Sequence, residues 1–171
     1  IPDLYDGVVP QMAVAVPELQ AGVLEERALA QAGAALEHCK TAAPLPEGAP
    51  LFLFGTGGGA PLAFEHALTS DMPLEGLILD TPASLPDVPE GVAPLEMPVL
   101  VLYGTADAAF DADNLERLEA KLERAGAEPR LTSITGAGSE LFDERAMGFS
   151  SSAMKKALEK LLAFIESRDA E

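Results

Sequence analysis

Residues 51–64 read LFLFGTGGGAPLAF, and the reading of this stretch decides the fold. Leu51 to Phe54 is a short, wholly apolar run with the composition of a buried strand. The glycines Gly55, Gly57, Gly58 and Gly59 break it, and a helix is predicted from Ala60 to Leu68, with Pro61 tolerated in its first turn. Strand, sharp glycine turn and helix start together form the layout of a nucleophile elbow, written G-x-nucleophile-x-G. Gly55 and Gly59 fit the flanking glycines, but the middle position is Gly57, which has no side chain with which to attack anything. The stretch carries the frame of a nucleophilic site without its nucleophile.

Outward from the elbow, strand-like and helix-like segments alternate, which predicts an α/β fold: a mostly parallel sheet flanked by helices. Upstream, residues 1–18 are broken by Pro2, Pro10 and Pro17, and a helix is expected from about Leu19 to Lys40. Leu24, Ala28, Ala32, Ala35, Leu36 and Cys39 fall on one stripe of it. The strand at 51–54, apolar at every position, is expected to be buried on both faces. Downstream, Leu77–Leu79 and Val99–Tyr103 read as strands. Asp111 or Asp113 is placed to cap a helix carrying Leu115, Leu118 and Leu122, which Gly126 closes. Leu131–Ile134 is a last strand. Ser151 or Ser152 opens a C-terminal helix with Met154, Leu158, Leu161, Leu162 and Ile165 on its apolar face.

With 171 residues, 48% of them hydrophobic, the chain can bury one sizeable core, so residues 1–171 are read as a single domain. No run is long and apolar enough to span a bilayer and no signal pattern opens the sequence, so a soluble, cytoplasmic protein is expected, with no membrane partner. The single cysteine, Cys39, allows no internal disulfide. A net charge of −17, from 28 acidic against 11 basic side chains, repels phosphate backbones, so no nucleic-acid partner is expected. Two histidines and one cysteine without ligand spacing point to no metal and no cofactor. His38 and His66 read as surface residues, and Ser150–Ser152 as a helix cap.

The order of an α/β-hydrolase site along a chain is nucleophile, acid, histidine, each at a strand's carboxyl end. The strand VLVLYG runs into GTAD, which puts Asp107 at the acid position. The loop ITGAGSELF follows the last strand. Together with PDLYDG near the start, GTGGGAPLAF and PVLVLYGTAD, these segments resemble the dienelactone hydrolase family over nearly the whole chain. The resemblance implies an α/β-hydrolase fold and ester or lactone hydrolysis through a triad at the positions of Gly57, Asp107 and Ser139. Only Asp107 has a suitable side chain there. The family carries Cys or Ser where this chain has Gly57, and His where it has Ser139, which cannot shuttle a proton near neutral pH. Asp6 and Asp143 lie near the places of arginines that hold a substrate carboxylate, where acids would repel it.

By the same resemblance, the N-terminal strands that would supply half of an oxyanion hole are not found in the sequence, which leaves the Gly58 N–H. Either strands are missing or a partner chain covers the sheet edge as a homo-oligomer. The resulting expectation is a catalytically inactive homologue whose remnant pocket takes a small-molecule ligand or a protein partner.

Two other readings stay open. One is an active ester or lactone hydrolase with a non-standard nucleophile and Asp107 retained. The other is nucleotide or S-adenosylmethionine binding, in which Gly55, Gly57 and Ala60 satisfy G-x-G-x-x-A and Asp80 is a ribose-binding acid. Asp107 also reads as a turn cap, Ser139 as an ordinary loop residue, and Thr56 and Thr105 as either ligand hydrogen-bonders or turn residues.

Overall fold

The computed structural model describes residues 25–42, 46, 48–82, 84–139, 141–146 and 148–167. By contacts the chain divides into two units, residues 1–49 and 50–171. In the first, helix α1 (Glu25–Ala42) carries Ala28, Ala32, Ala35 and Leu36 of the stripe read from the sequence, while Leu24 lies outside the described residues. The predicted start at Leu19 and the PDLY segment with Asp6 lie outside the described residues.

The second unit is built on four parallel strands in the order β1-β2-β3-β4: Phe52–Thr56, Gly76–Asp80, Pro98–Gly104 and Glu128–Ile134. Parallel pairing requires each connection to return to the starting end of the sheet, and helices do this twice. Helix α2 (Ala60–Thr69) joins β1 to β2, and α3 (Ala112–Arg124) joins β3 to β4. A long irregular segment joins β2 to β3, and α4 (Ser151–Glu166) follows β4.

Strand geometry sends successive side chains to opposite faces, and both faces are covered. Leu77, Leu79, Val99 and Val101 pack on the side of α2 and α3, with Ala63, Phe64, Leu118 and Leu122. Ile78, Leu100, Leu102 and Ile134 pack on the side of α4, with Ala153, Ala157 and Phe164. All of β2 is buried, and all of β3 except half-buried Tyr103. This is why both read as unbroken apolar runs.

The helix ends follow the side-chain chemistry. Asp111 caps α3, its Oδ1 accepting from the Asn114 N–H at 2.8 Å. Past its end, the Gly126 N–H donates to the Glu123 carbonyl at 2.9 Å. Ser150 caps α4 by accepting from the Ala153 N–H at 3.4 Å.

Two packing expectations are corrected. β1 is not buried on both faces: it stands at the sheet edge among the described residues, and Phe54 is 42% exposed. Among the described residues β1 has a neighbouring strand on one side alone, and the Phe54 ring stands in a T-shaped contact with Phe142, 5.5 Å between ring centroids. On α4 the buried stripe is Ala153, Ala157 and Phe164, with Leu161 and Ile165 partly covered. Leu158 and Leu162 are 43% and 47% exposed. The small alanines admit the helix backbone close to the sheet, which rotates the leucines outward.

Candidate functional site

The carboxyl ends of the four strands bring together the segments singled out in the sequence. β1 passes into a single 3₁₀ turn, Gly57–Gly59, and then directly into α2. Gly57 has φ +51°, a left-handed conformation that costs a residue bearing a Cβ on the order of 1–2 kcal/mol. A Cβ added there would meet nothing within 4 Å. The elbow therefore keeps its backbone shape and leaves open the space into which a nucleophile would project. Gly57→Ala is accordingly expected to lower stability by only about 1 kcal/mol, the strain alone, in urea denaturation. A loss of several kcal/mol would mean the space is not open.

The end of β2 adds a buried group. Thr56 and Asp80 are register partners on β1 and β2, and the Thr56 hydroxyl donates to Asp80 Oδ2 at 2.7 Å. Asp80 is 1% exposed, and its other oxygen, Oδ1, has no hydrogen-bond partner among the described residues. Burial pushes its carboxyl up to about 6, against the lowering effect of the Thr56 hydrogen bond. The next residue, Thr81, has φ +46°, an outlier for a β-branched side chain. It is held there from both ends: its N–H donates to the Leu102 carbonyl at 2.8 Å, and its hydroxyl to the Ser139 carbonyl at 3.2 Å. A chain of contacts thus links the elbow, the end of β2 and the loop after β4.

After β3, Asp107 is half-buried, and its Oδ1 accepts from the Ala109 N–H at 2.9 Å, capping the 3₁₀ turn Ala108–Phe110. Ser139 is exposed and enters the network through its carbonyl. The loop carrying it is pinned to the end of β3. The Ala106 N–H donates to the Ala137 carbonyl at 2.8 Å, and the Gly136 N–H to the Thr105 hydroxyl at 2.9 Å. Thr56 and Thr105 are thus engaged within the protein. Gly58 is exposed beside Gly57.

Other sequence candidates lie elsewhere or differ. His66, expected at the surface, is half-buried in the last turn of α2, a helix that leads away from the elbow. His38 is exposed on α1. Asp143 is exposed and accepts from the Arg145 N–H at 3.0 Å. Asp80, the candidate ribose acid, is enclosed and bonded to Thr56, away from solvent. No metal-binding cluster of His, Cys, Asp and Glu occurs among the described residues. Nor is any described helix long and apolar enough to cross a membrane.

The Thr56–Asp80 pair and the strained Thr81 were not legible as a unit. The one signal was Asp80 closing the otherwise apolar run GLILD.

Parallel strands with helices on both faces, a glycine elbow after one strand and an acid after a later one define an α/β-hydrolase fold. Residues 1–168 match the dienelactone hydrolase family, and the chain belongs to that family. Solved structures agree on the fold. A dienelactone hydrolase-like promiscuous phosphotriesterase from metagenomic libraries superposes with TM-score 0.70 at 16% identity, over 92% of this chain and 67% of its own. The protein m3DLH gives 0.74 at 20% identity, over 96% and 72%. The carboxylesterase of Bacillus cereus gives 0.57 at 20% identity, over 81% and 62%. No curated protein sequence matches at a significant level.

Proposed function

We propose that this chain is a catalytically silent member of the dienelactone hydrolase family that keeps the elbow as a structural frame and binds a small molecule near it. The observation that carries the reading is Gly57: it holds the strained elbow conformation at φ +51° with no group to attack a carbonyl. Ser139, in the place of the family's histidine, supports it, since a serine hydroxyl cannot act as a base at neutral pH. Asp107 alone retains a triad side chain, and its engaged oxygen serves as a turn cap. A cytoplasmic setting belongs to the same proposal and rests on composition.

The test is hydrolysis of p-nitrophenyl acetate. The native chain is expected to run no faster than an Asp107→Ala control. A Gly57→Ser/Ser139→His variant is expected to exceed both by on the order of tenfold or more, given what a positioned base contributes. If the native chain turns over the ester and Asp107→Ala abolishes that activity, the chain is an active hydrolase with a non-standard nucleophile.

A further inference from the structure

A cavity of about 190 Å³ lies between α3, the segment after β2 and the 3₁₀ turn Ala108–Phe110. Neither Gly57, Asp107 nor Ser139 lines it. Three polar side chains enter from α3: Asn114, Arg117 and Lys121, at spacings of three and four residues and therefore on one stripe of the helix. The same helix carries Asp113, Glu116, Glu119 and Glu123, and none of these lines the cavity. In a chain of net charge −17, the charged groups of this cavity are both cations.

The two cations are not equivalent. The Lys121 ammonium donates to the Leu85 carbonyl and to Asp87 Oδ1, both at 2.8 Å, so two of its three donors are engaged. Arg117 is exposed and has no hydrogen-bond or ion-pair partner among the described residues. Beneath it the lining is apolar. Leu85 and Leu118 are buried, and Phe110 is braced by stacking on Tyr103, with centroids 5.3 Å apart. The cavity therefore has an uncommitted guanidinium on its solvent side and an aromatic and aliphatic floor.

We propose that this cavity binds a small monocarboxylate with an apolar body, an aromatic or short-chain acid. Its carboxylate takes the planar fork of Arg117, with the Asn114 amide as a further donor, and its body lies against Phe110 and Leu85. The volume, below the roughly 300–1,000 Å³ of sites for drug-sized ligands, suits a molecule of about one ring. One uncommitted cation matches one negative charge. A phosphate dianion would find too little counter-charge here and would be repelled by the protein as a whole. Because the triad positions do not line the cavity, the proposal stands whether or not the elbow is silent.

The test is titration of the full chain with benzoate, cyclohexanecarboxylate and hexanoate, followed by amide NMR shifts and calorimetry. Neutral benzamide and inorganic phosphate are the comparison probes. At least one carboxylate is expected to saturate the site, shifting amides of residues 109–121, with benzamide and phosphate weaker by about tenfold or more. Arg117→Gln is expected to weaken the carboxylate by about tenfold with an unchanged melting temperature. Ser84→Trp, which fills the cavity and leaves both cations in place, is expected to abolish binding. The proposal is overturned if no carboxylate shifts these residues, if benzamide or phosphate binds as tightly, or if either folded variant binds like the native chain.

Discussion

Replacement of Gly104 by alanine is expected to cost about 4 kcal/mol or more, a large share of the roughly 5–15 kcal/mol that holds a domain folded. Gly104 is the last residue of β3 and is buried. An added Cβ would sit 2.5 Å from the Ala137 carbonyl carbon and inside the contact distance of the Ala137 and Gly138 carbonyl oxygens. These are backbone atoms, so no rotamer change relieves the overlap. The loop would have to lift away, and its ties oppose that. The Ala106 N–H bonds the Ala137 carbonyl, the Gly136 N–H bonds the Thr105 hydroxyl, and Thr81 bonds the Ser139 carbonyl. Overpacking costs about 1–3 kcal/mol, and each lost hydrogen bond adds about 1 kcal/mol. Urea denaturation of the variant checks this, and a loss below about 1 kcal/mol would mean that the loop yields freely. The comparison with Gly57→Ala separates two uses of glycine, close approach at Gly104 and backbone shape at Gly57.

The second large effect concerns Asp80 and pH. Its carboxyl titrates at about 6 in the folded protein, against 3.8 when unperturbed, so the folded state holds the proton more tightly than the unfolded chain. The stability this contributes is fully present below about pH 4 and is lost as pH rises through 6. At about 1.36 kcal/mol per unit, the difference across the window is on the order of 3 kcal/mol. Above pH 6 the protein carries a buried carboxylate, one of whose oxygens has no hydrogen-bond partner among the described residues. Asp80→Asn is therefore expected to be more stable than the native chain at pH 8, by about 1–3 kcal/mol, because an amide oxygen can still accept from Thr56. That advantage should shrink by about 1.4 kcal/mol at pH 5. Denaturation of both proteins at the two pH values reads the difference directly and cancels the titration of the other acids. An advantage that does not change with pH would show that Asp80 is not the titrating group.

Much of the fold was legible because its signals are local. An apolar run followed by GTGGG and a proline in the first turn can hardly be anything but strand, turn and helix. GLIL and VLVL announce strands covered on both faces, and Asp111 and Gly126 mark the ends of α3. Features that depend on which elements become neighbours were less legible. The apolar run of β1 shows what the strand is able to bury, not how many strands flank it, so the exposure of Phe54 was missed. On α4, leucines and alanines offered two overlapping stripes, and the choice followed from how closely the backbone can approach the sheet. The candidate site divides in the same way. Gly57, Asp107 and Ser139 each end or follow a recognisable strand. The Thr56–Asp80 pair exists only through the register of β1 and β2, and the Arg117 cavity only because distant segments close over one stripe of α3.

The sequential strand order has a consequence for how the protein is made. Among the described residues each strand pairs with its successor in the chain, so these pairings do not wait on a distant segment, and the unit can assemble in the direction of synthesis. β1, α2 and β2 can close while β4 is still inside the ribosome. The loop at residues 135–139 emerges after all four strands, and only then can it settle on Thr81 and the end of β3. The segment carrying Ser139 thereby latches onto β2 and β3 only once all four strands have emerged, and α4, which follows it in the chain, is left to cover the face bearing Ile78, Leu100 and Leu102.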